Sequence, residues 1–271
     1  MPLRVVLVGC GNMGYAMLSG WLRSGKLVAG EAFVLEPNAA LREKAEKLGS
    51  ATAAEPGALP SDLAPNLVIF AVKPQVMRDV VPAYRRFAGS GATFLSIAAG
   101  TPIATFEDLL GPFTPIVRCM PNTPAAIGKG MMVVVSNPHV NKETKAFVAD
   151  LLSASGQVAT VDDEKLMDAV TAVSGSGPAY VFHFIEALTA AAQKAGLPAE
   201  TAKLLAMQTV YGAASLAAES NEDPGVLRQQ VTSPNGTTAA ALAVLMGEDR
   251  LTKLVTEAVE AARLRSIELG K

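Results

Sequence analysis

The run Leu67-Val68-Ile69-Phe70-Ala71-Val72 is apolar at every position. A strand with one face in water alternates apolar and polar residues. A continuous run therefore suits a strand covered on both faces, as in a parallel sheet flanked by helices. Similar short runs recur at residues 4–8, 32–36, 93–97, 115–120, 131–135 and 157–161. Amphipathic stretches such as 39–48 and 75–87 lie between them. This alternation predicts a doubly wound α/β domain.

The rhythm changes after Val161. Asp162-Asp163-Glu164 places acids where they match the positive end of a helix dipole. Ser174-Gly175-Ser176-Gly177-Pro178 reads as a helix stop, a loop, and a proline at the first position of the next helix. Helices are expected at 179–195, 199–219, 238–246 and 251–269. The predicted fold is thus α/β: a Rossmann-type doubly wound parallel sheet over residues 1–161, then an all-helical domain over residues 162–271. No repeat with a period of about 20–50 residues is present. Helices 179–195 and 199–219 are apolar or small around most of their circumference. Core burial would account for that, but a half this small has little protein to cover such a surface. A subunit interface, with intertwined helices, is the favoured reading.

Of the 271 residues, 50% are hydrophobic and 18% charged, a globular composition. A net charge of −2 gives no pull toward nucleic acid or an anionic membrane. No apolar run approaches the ~18 residues of a spanning helix, and Gly9, Gly11 and Asn12 interrupt the first strand too early for a signal peptide. The two cysteines, Cys10 and Cys119, make no disulfide framework and fit a reduced, cytoplasmic setting.

Gly9-Cys10-Gly11-Asn12-Met13-Gly14 follows the first strand and opens a helix. In a G-x-G-x-x-G loop the first glycine permits the turn, the second admits a pyrophosphate, and the third lets helix and strand approach. The phosphate then rests on the helix N-terminus. Glu36 ends the second strand 22 residues after Gly14, near the ~20 expected for an acid that contacts a ribose. It favours NAD(H), whereas Asn38 and Arg42 nearby leave NADP(H) open. Arg42 itself reads more simply as a solvated helix residue.

Ligands in open α/β sheets bind outside the carboxyl ends of strands. Those ends carry Ala71-Val72-Lys73-Pro74, Ile97-Ala98-Ala99-Gly100 and Met120-Pro121-Asn122-Thr123-Pro124, small loops that bring backbone close to a flat ring. In the helical half, Val231-Thr232-Ser233-Pro234-Asn235-Gly236-Thr237-Thr238 leads into an alanine-rich helix. One hydroxyl would serve as an N-cap; four hydroxyls point to an anion site such as a substrate carboxylate.

These segments, in this order, resemble the pyrroline-5-carboxylate reductase family over essentially the whole chain. The segment from Val231 to Thr238 is the most specific of them. The resemblance implies reduction of the C=N bond of 1-pyrroline-5-carboxylate, giving L-proline, by NADP(H) or NAD(H). It implies that Gly9, Gly11, Asn12, Met13, Gly14, Glu36, Asn38, Ala71, Val72, Lys73, Pro74, Ala98, Ala99, Gly100, Met120 and Asn122 serve the cofactor. Ser233, Gly236, Thr237 and Thr238 would hold the substrate carboxylate. The Thr238 hydroxyl would lie near the ring nitrogen as the catalytic group, and Val231 and Pro178 would wall the pocket. It also implies a homo-oligomer through the C-terminal helices, a dimer or a ring of dimers.

An imine that arrives protonated needs orientation more than a strong acid, and placement alone can be worth ~7–11 kcal/mol. That agrees with the scarcity of acid–base residues. His139 lies in a polar loop, His183 sits between Phe182 and Phe184, and no His/Cys/Asp cluster has metal spacing. A β-hydroxyacid dehydrogenase would pair a lysine and an asparagine four residues apart on one helix; residues 166–195 hold Lys194 and no asparagine. A dinucleotide-sensing protein would have no use for the hydroxyl loop.

Overall fold

The structure, a computed structural model, describes residues 4–270. The apolar runs form one eight-stranded sheet. In chain order its elements are β1 (Val5–Val8), α1 (Asn12–Arg23), β2 (Ala32–Leu35), α2 (Ala39–Lys47), β3 (Ala51–Ala53), β4 (Leu67–Phe70), α3 (Met77–Val80) and β5 (Thr93–Ser96). They continue with α4 (Ile103–Leu110), β6 (Ile116–Met120), β7 (Gly130–Ser136), α5 (Lys142–Ser153), β8 (Gly156–Thr160) and α6 (Met167–Val170). The spatial order is β3-β2-β1-β4-β5-β6-β7-β8. All neighbours are parallel except β6 and β7. That pair is antiparallel because the short link through the turn Thr123–Ile127 cannot carry the crossover a parallel pair needs.

Alternate residues of β1 enter opposite cores. Val5 and Leu7 meet Met17, Leu18 and Trp21 on one face, and Val6 and Val8 meet Phe70, Tyr84 and Phe94 on the other. Both faces are covered, which is why the runs lack polar alternation. On the second face Phe70 stacks with Phe94 and Phe106, each 6.0 Å away, and meets Tyr84 edge-on at 5.4 Å.

Several expectations are corrected. The stretch 75–87 is not one helix: tight turns at Pro74–Val76 and Val81–Phe87 flank α3, because Pro74 and Pro82 lack the N–H that a helix interior requires. The edge strand β3 was not anticipated. Ser174–Pro178 is not a loop; Thr171–Gly175 forms a π-helical turn that runs into the next helix.

The chain resolves into two compact units, and the first extends past Val161 to Ser176. Glu164 explains the extension: its Oε1 accepts from Arg118 Nη1 at 3.0 Å and from the Ile103 N–H at 2.8 Å. Met167 is fully buried in the second core. The chain returns to this unit from Ala262 onward. There the Ser266 hydroxyl donates to Asp168 Oδ1 at 2.7 Å.

The second unit, Gly177–Ala261, is helical. It holds α7 (Gly177–Lys194), α8 (Ala199–Glu219), α9 (Pro224–Gln230), α10 (Thr237–Met246) and the first half of α11 (Arg250–Leu269). Helices α7 and α8 pack on each other. Among the described residues, no helix is long and apolar enough to cross a membrane.

Candidate functional site

The bend from β1 into α1 is built by its glycines. Gly9 has φ +92°, and a Cβ there would meet the Ala71 carbonyl oxygen at 2.8 Å. A Cβ on Gly14 would lie 2.4 Å from the Gly9 carbonyl oxygen, so only glycine lets the helix approach this closely. Gly11 faces open space. It is the N-cap of α1, no side chain caps the helix, and its first turn holds no acid. The free N–H groups and the dipole therefore favour an anion there.

A cavity of about 740 Å³ opens from Gly9 and Gly11 along the carboxyl ends of β2 and β4. Its walls include Glu36, Ala71, Val72 and Lys73, with Ala54, Pro56 and Val76. The last three were not foreseen, since Ala54 and Pro56 follow the short β3. Asn12 and Met13 line a separate groove of about 560 Å³ with Cys10 and Thr123. Pro74 and Gly100 meet in a third hollow of about 280 Å³, beside Leu269 and Gly270. Ala98 and Ala99 follow β5 after Ile97, and the Ala98 N–H is held by Ser96 Oγ at 3.2 Å. Asn38 caps α2, its Oδ1 accepting from the Ala40 and Leu41 N–H groups.

Glu36 is buried, and its carboxylate turns inward. One oxygen accepts from the Cys10 N–H at 2.7 Å and the other from the Asn38 N–H at 2.9 Å. It ties the glycine loop to the end of β2. Arg42 is not simply solvated: its Nη1 donates to the carbonyls of Glu36 and Pro37 at 2.8 and 2.7 Å. The Cys10 thiol is pushed up to about 11, mainly by burial and secondarily by the charge of Glu36, with Lys44 opposing.

The second unit carries the hydroxyl loop. Val231, Ser233 and Thr237 are exposed, and Pro178, Gly236 and Thr238 half-buried. The Gly236 N–H closes a turn onto the Ser233 carbonyl at 3.1 Å, and Asn235 takes a left-handed φ of +60° that asparagine tolerates. Thr232 is occupied elsewhere, donating to the Arg228 carbonyl at 2.6 Å. Gly236 is the N-cap of α10, and no side chain caps that helix. The hydroxyls at 233, 237 and 238 surround a second helix start suited to an anion.

A Rossmann-type sheet with an anion cradle at α1, a groove along its strand ends and a separate helical unit define a dinucleotide-dependent oxidoreductase of two-domain plan. A family described as pyrroline-5-carboxylate reductase dimerisation matches residues 164–269, and one described as NADP oxidoreductase, coenzyme F420-dependent, matches residues 4–100. A Pseudomonas aeruginosa pyrroline-5-carboxylate reductase is 40% identical over 268 residues, 99% of this chain and 97% of that protein. The solved structure of a Coxiella burnetii pyrroline-5-carboxylate reductase superposes with a TM-score of 0.92 at 34% identity, covering 100% of both chains. The Plasmodium falciparum pyrroline carboxylate reductase, solved with NADP bound, gives 0.85 at 30% identity over 99% of this chain and 98% of that one. The chain belongs to the pyrroline-5-carboxylate reductase family.

Proposed function

We propose that this protein reduces 1-pyrroline-5-carboxylate to L-proline with NAD(P)H. The carrying observation is the pair of uncapped helix starts, one behind a glycine loop and one ringed by hydroxyls. The first suits a pyrophosphate and the second a small carboxylate. The full-length relatives with that name support the reading.

Residues 1–161 act as the dinucleotide-binding domain and 162–271 as the substrate and oligomerisation domain; the segment 162–176 serves as the joint. Gly9, Gly11, Asn12, Met13 and Gly14 would hold the pyrophosphate, with Lys73 beside the ribose. Ala71, Val72, Pro74, Ala98, Ala99, Gly100 and Met120 would wall the rest of the cofactor. Ser233, Gly236, Thr237 and Thr238 bind the substrate carboxylate, Val231 and Pro178 pack on its ring, and Thr238 keeps a proton at the ring nitrogen. A nicotinamide held there would supply hydride to the imine carbon, and the part of Thr238 is to keep the ring nitrogen protonated. Because Glu36 is committed to the glycine loop, its charge does not face a 2′-phosphate, and NADPH is accepted.

The working form is a homodimer through the C-terminal helices, and dimers assemble into a ring in the cytoplasm. The partner molecules are small, with no role for nucleic acid. The test follows NADPH and NADH absorbance with pyrroline-5-carboxylate, the six-membered cyclic imine analogue and β-hydroxyacids. Turnover only with a β-hydroxyacid would overturn the assignment.

A further inference from the structure

Pro178 creates a local problem that Asn122 answers. In an α-helix the carbonyl of residue 174 accepts from the N–H of residue 178, and proline has none. The chain widens here into the π-helical turn Thr171–Gly175, closed by the Ser176 N–H on the Thr171 carbonyl at 2.9 Å. The Nδ2 of Asn122 donates to the Ser174 carbonyl at 3.1 Å and reaches the Ser174 hydroxyl at 3.4 Å. The other end of the same amide is also taken, Oδ1 accepting from the Met131 N–H at 2.9 Å. Met120, two residues earlier, lies against the turn, since a Cβ on Gly175 would fall 2.4 Å from its Cε. The loop after β6 thus supplies a side-chain donor to the Ser174 carbonyl, whose α-helical partner position holds Pro178. Turns of this kind inside helices recur at functional sites.

We infer that Asn122 is a positioning residue, not a cofactor ligand: its side chain fixes the π-helical turn Thr171–Gly175 that precedes α7. This rests on the reductase reading for its kinetic readout. The kinetic readout enters because Pro178, four residues after Ser174, belongs to the proposed substrate pocket, while nucleotide binding is assigned to the α1 loop.

Asn122→Asp keeps the acceptor for Met131 and places an oxygen opposite the Ser174 carbonyl. The expected result is a kcat lowered about 10²-fold, with NADPH dissociation measured by fluorescence changed less than about twofold. Amide hydrogen exchange over residues 171–178 should also quicken. Pro178→Ala restores the missing N–H, so Asn122→Asp should cost much less in that background. A rise in the NADPH dissociation constant matching the loss in kcat would make Asn122 a cofactor ligand and overturn the inference. So would unchanged exchange at 171–178, or purely additive losses in the double variant. If the wild-type protein fails to reduce pyrroline-5-carboxylate, the reductase reading falls, and the exchange and binding measurements still decide the part played by Asn122.

Discussion

The first unit closes on itself and the second does not. Val5, Leu7, Phe70 and Phe94 are completely buried in the first. In the second, among the described residues, the buried hydrophobics are two alanines, Ala202 and Ala206, while Phe182 is 59% exposed, Leu204 67% and Val244 62%. Both units are rich in apolar residues. The difference lies in how many layers each supplies: the sheet brings helices to both its faces, whereas the second unit, among the described residues, has helices alone and no sheet for them to cover. Apolar surface on this scale on a small unit calls for a partner, and a homo-oligomer follows from membership of a family with a named dimerisation region.

The strongest way to break this contrast is a charge on the second unit. Leu204→Glu removes a side chain whose burial is worth about 1.5–3 kcal/mol, and a two-fold interface counts the change twice. Sedimentation should show dissociation at micromolar concentration, with turnover lost alongside. An intact oligomer would mean that the exposed face of α8 is not the interface. The next effect belongs to the first unit. Arg118 is 5% exposed, and Glu164 is the partner of its guanidinium. Glu164→Ala strands that charge and the Ile103 N–H together, at an expected cost of about 3–5 kcal/mol. Chemical denaturation should record it, with the oligomeric state at low denaturant unchanged; a loss under about 1 kcal/mol would show that the pair is dispensable.

The contrast also decides what could be read from sequence. The strands were legible because burial on both faces leaves continuous apolar runs, and the glycine loop because its mechanism lies within six consecutive residues, Gly9 to Gly14. β3 was missed because Ala51-Thr52-Ala53 is three residues long and carries no pattern at the sheet edge. The first compact unit runs on past Val161 because Glu164 reaches Arg118 and Ser266 reaches Asp168 98 residues away, pairings without a local signature. Glu36 was found at the end of β2, but not its bonds to the Cys10 and Asn38 N–H groups. An acid at the end of β2 is local information, whereas its turn toward the Cys10 N–H is a tertiary fact. Asn122 is a similar case, since its motif is visible but not its bond to the Ser174 carbonyl 52 residues away.

Thr238→Ala sharpens the comparison by touching one unit only. A lost hydrogen bond to a charged group is worth about 1.5–3 kcal/mol, so kcat/KM for pyrroline-5-carboxylate should fall roughly 10- to 100-fold. NADPH affinity, assigned to the first unit, should stay near wild type. Unchanged turnover would remove Thr238 from the site, and weakened nucleotide binding would show that the two functions are not divided between the units.

The smallest effect tests closure of the first unit through its thiols. Burial raises Cys10 from 9.0 to about 11 and Cys119 from 9.0 to about 12. Both folded values lie above the unfolded one, so the stability they contribute is complete below pH 9. It declines above pH 9 as the unfolded chain gives up protons that the folded chain keeps, with a slope near 1.4 kcal/mol per pH unit for one such group. Replacing Cys10 with alanine should therefore leave the denaturation curve parallel to wild type up to pH 9 and flatten its fall between pH 9 and about 11. The wild-type minus variant difference cancels the lysines and tyrosines that titrate in the same range. Parallel curves through pH 11 would mean that water reaches the Cys10 sulfur in the folded state, and the tight bend that Glu36 holds between β1 and α1 would then have to open far more readily than its hydrogen bonds imply.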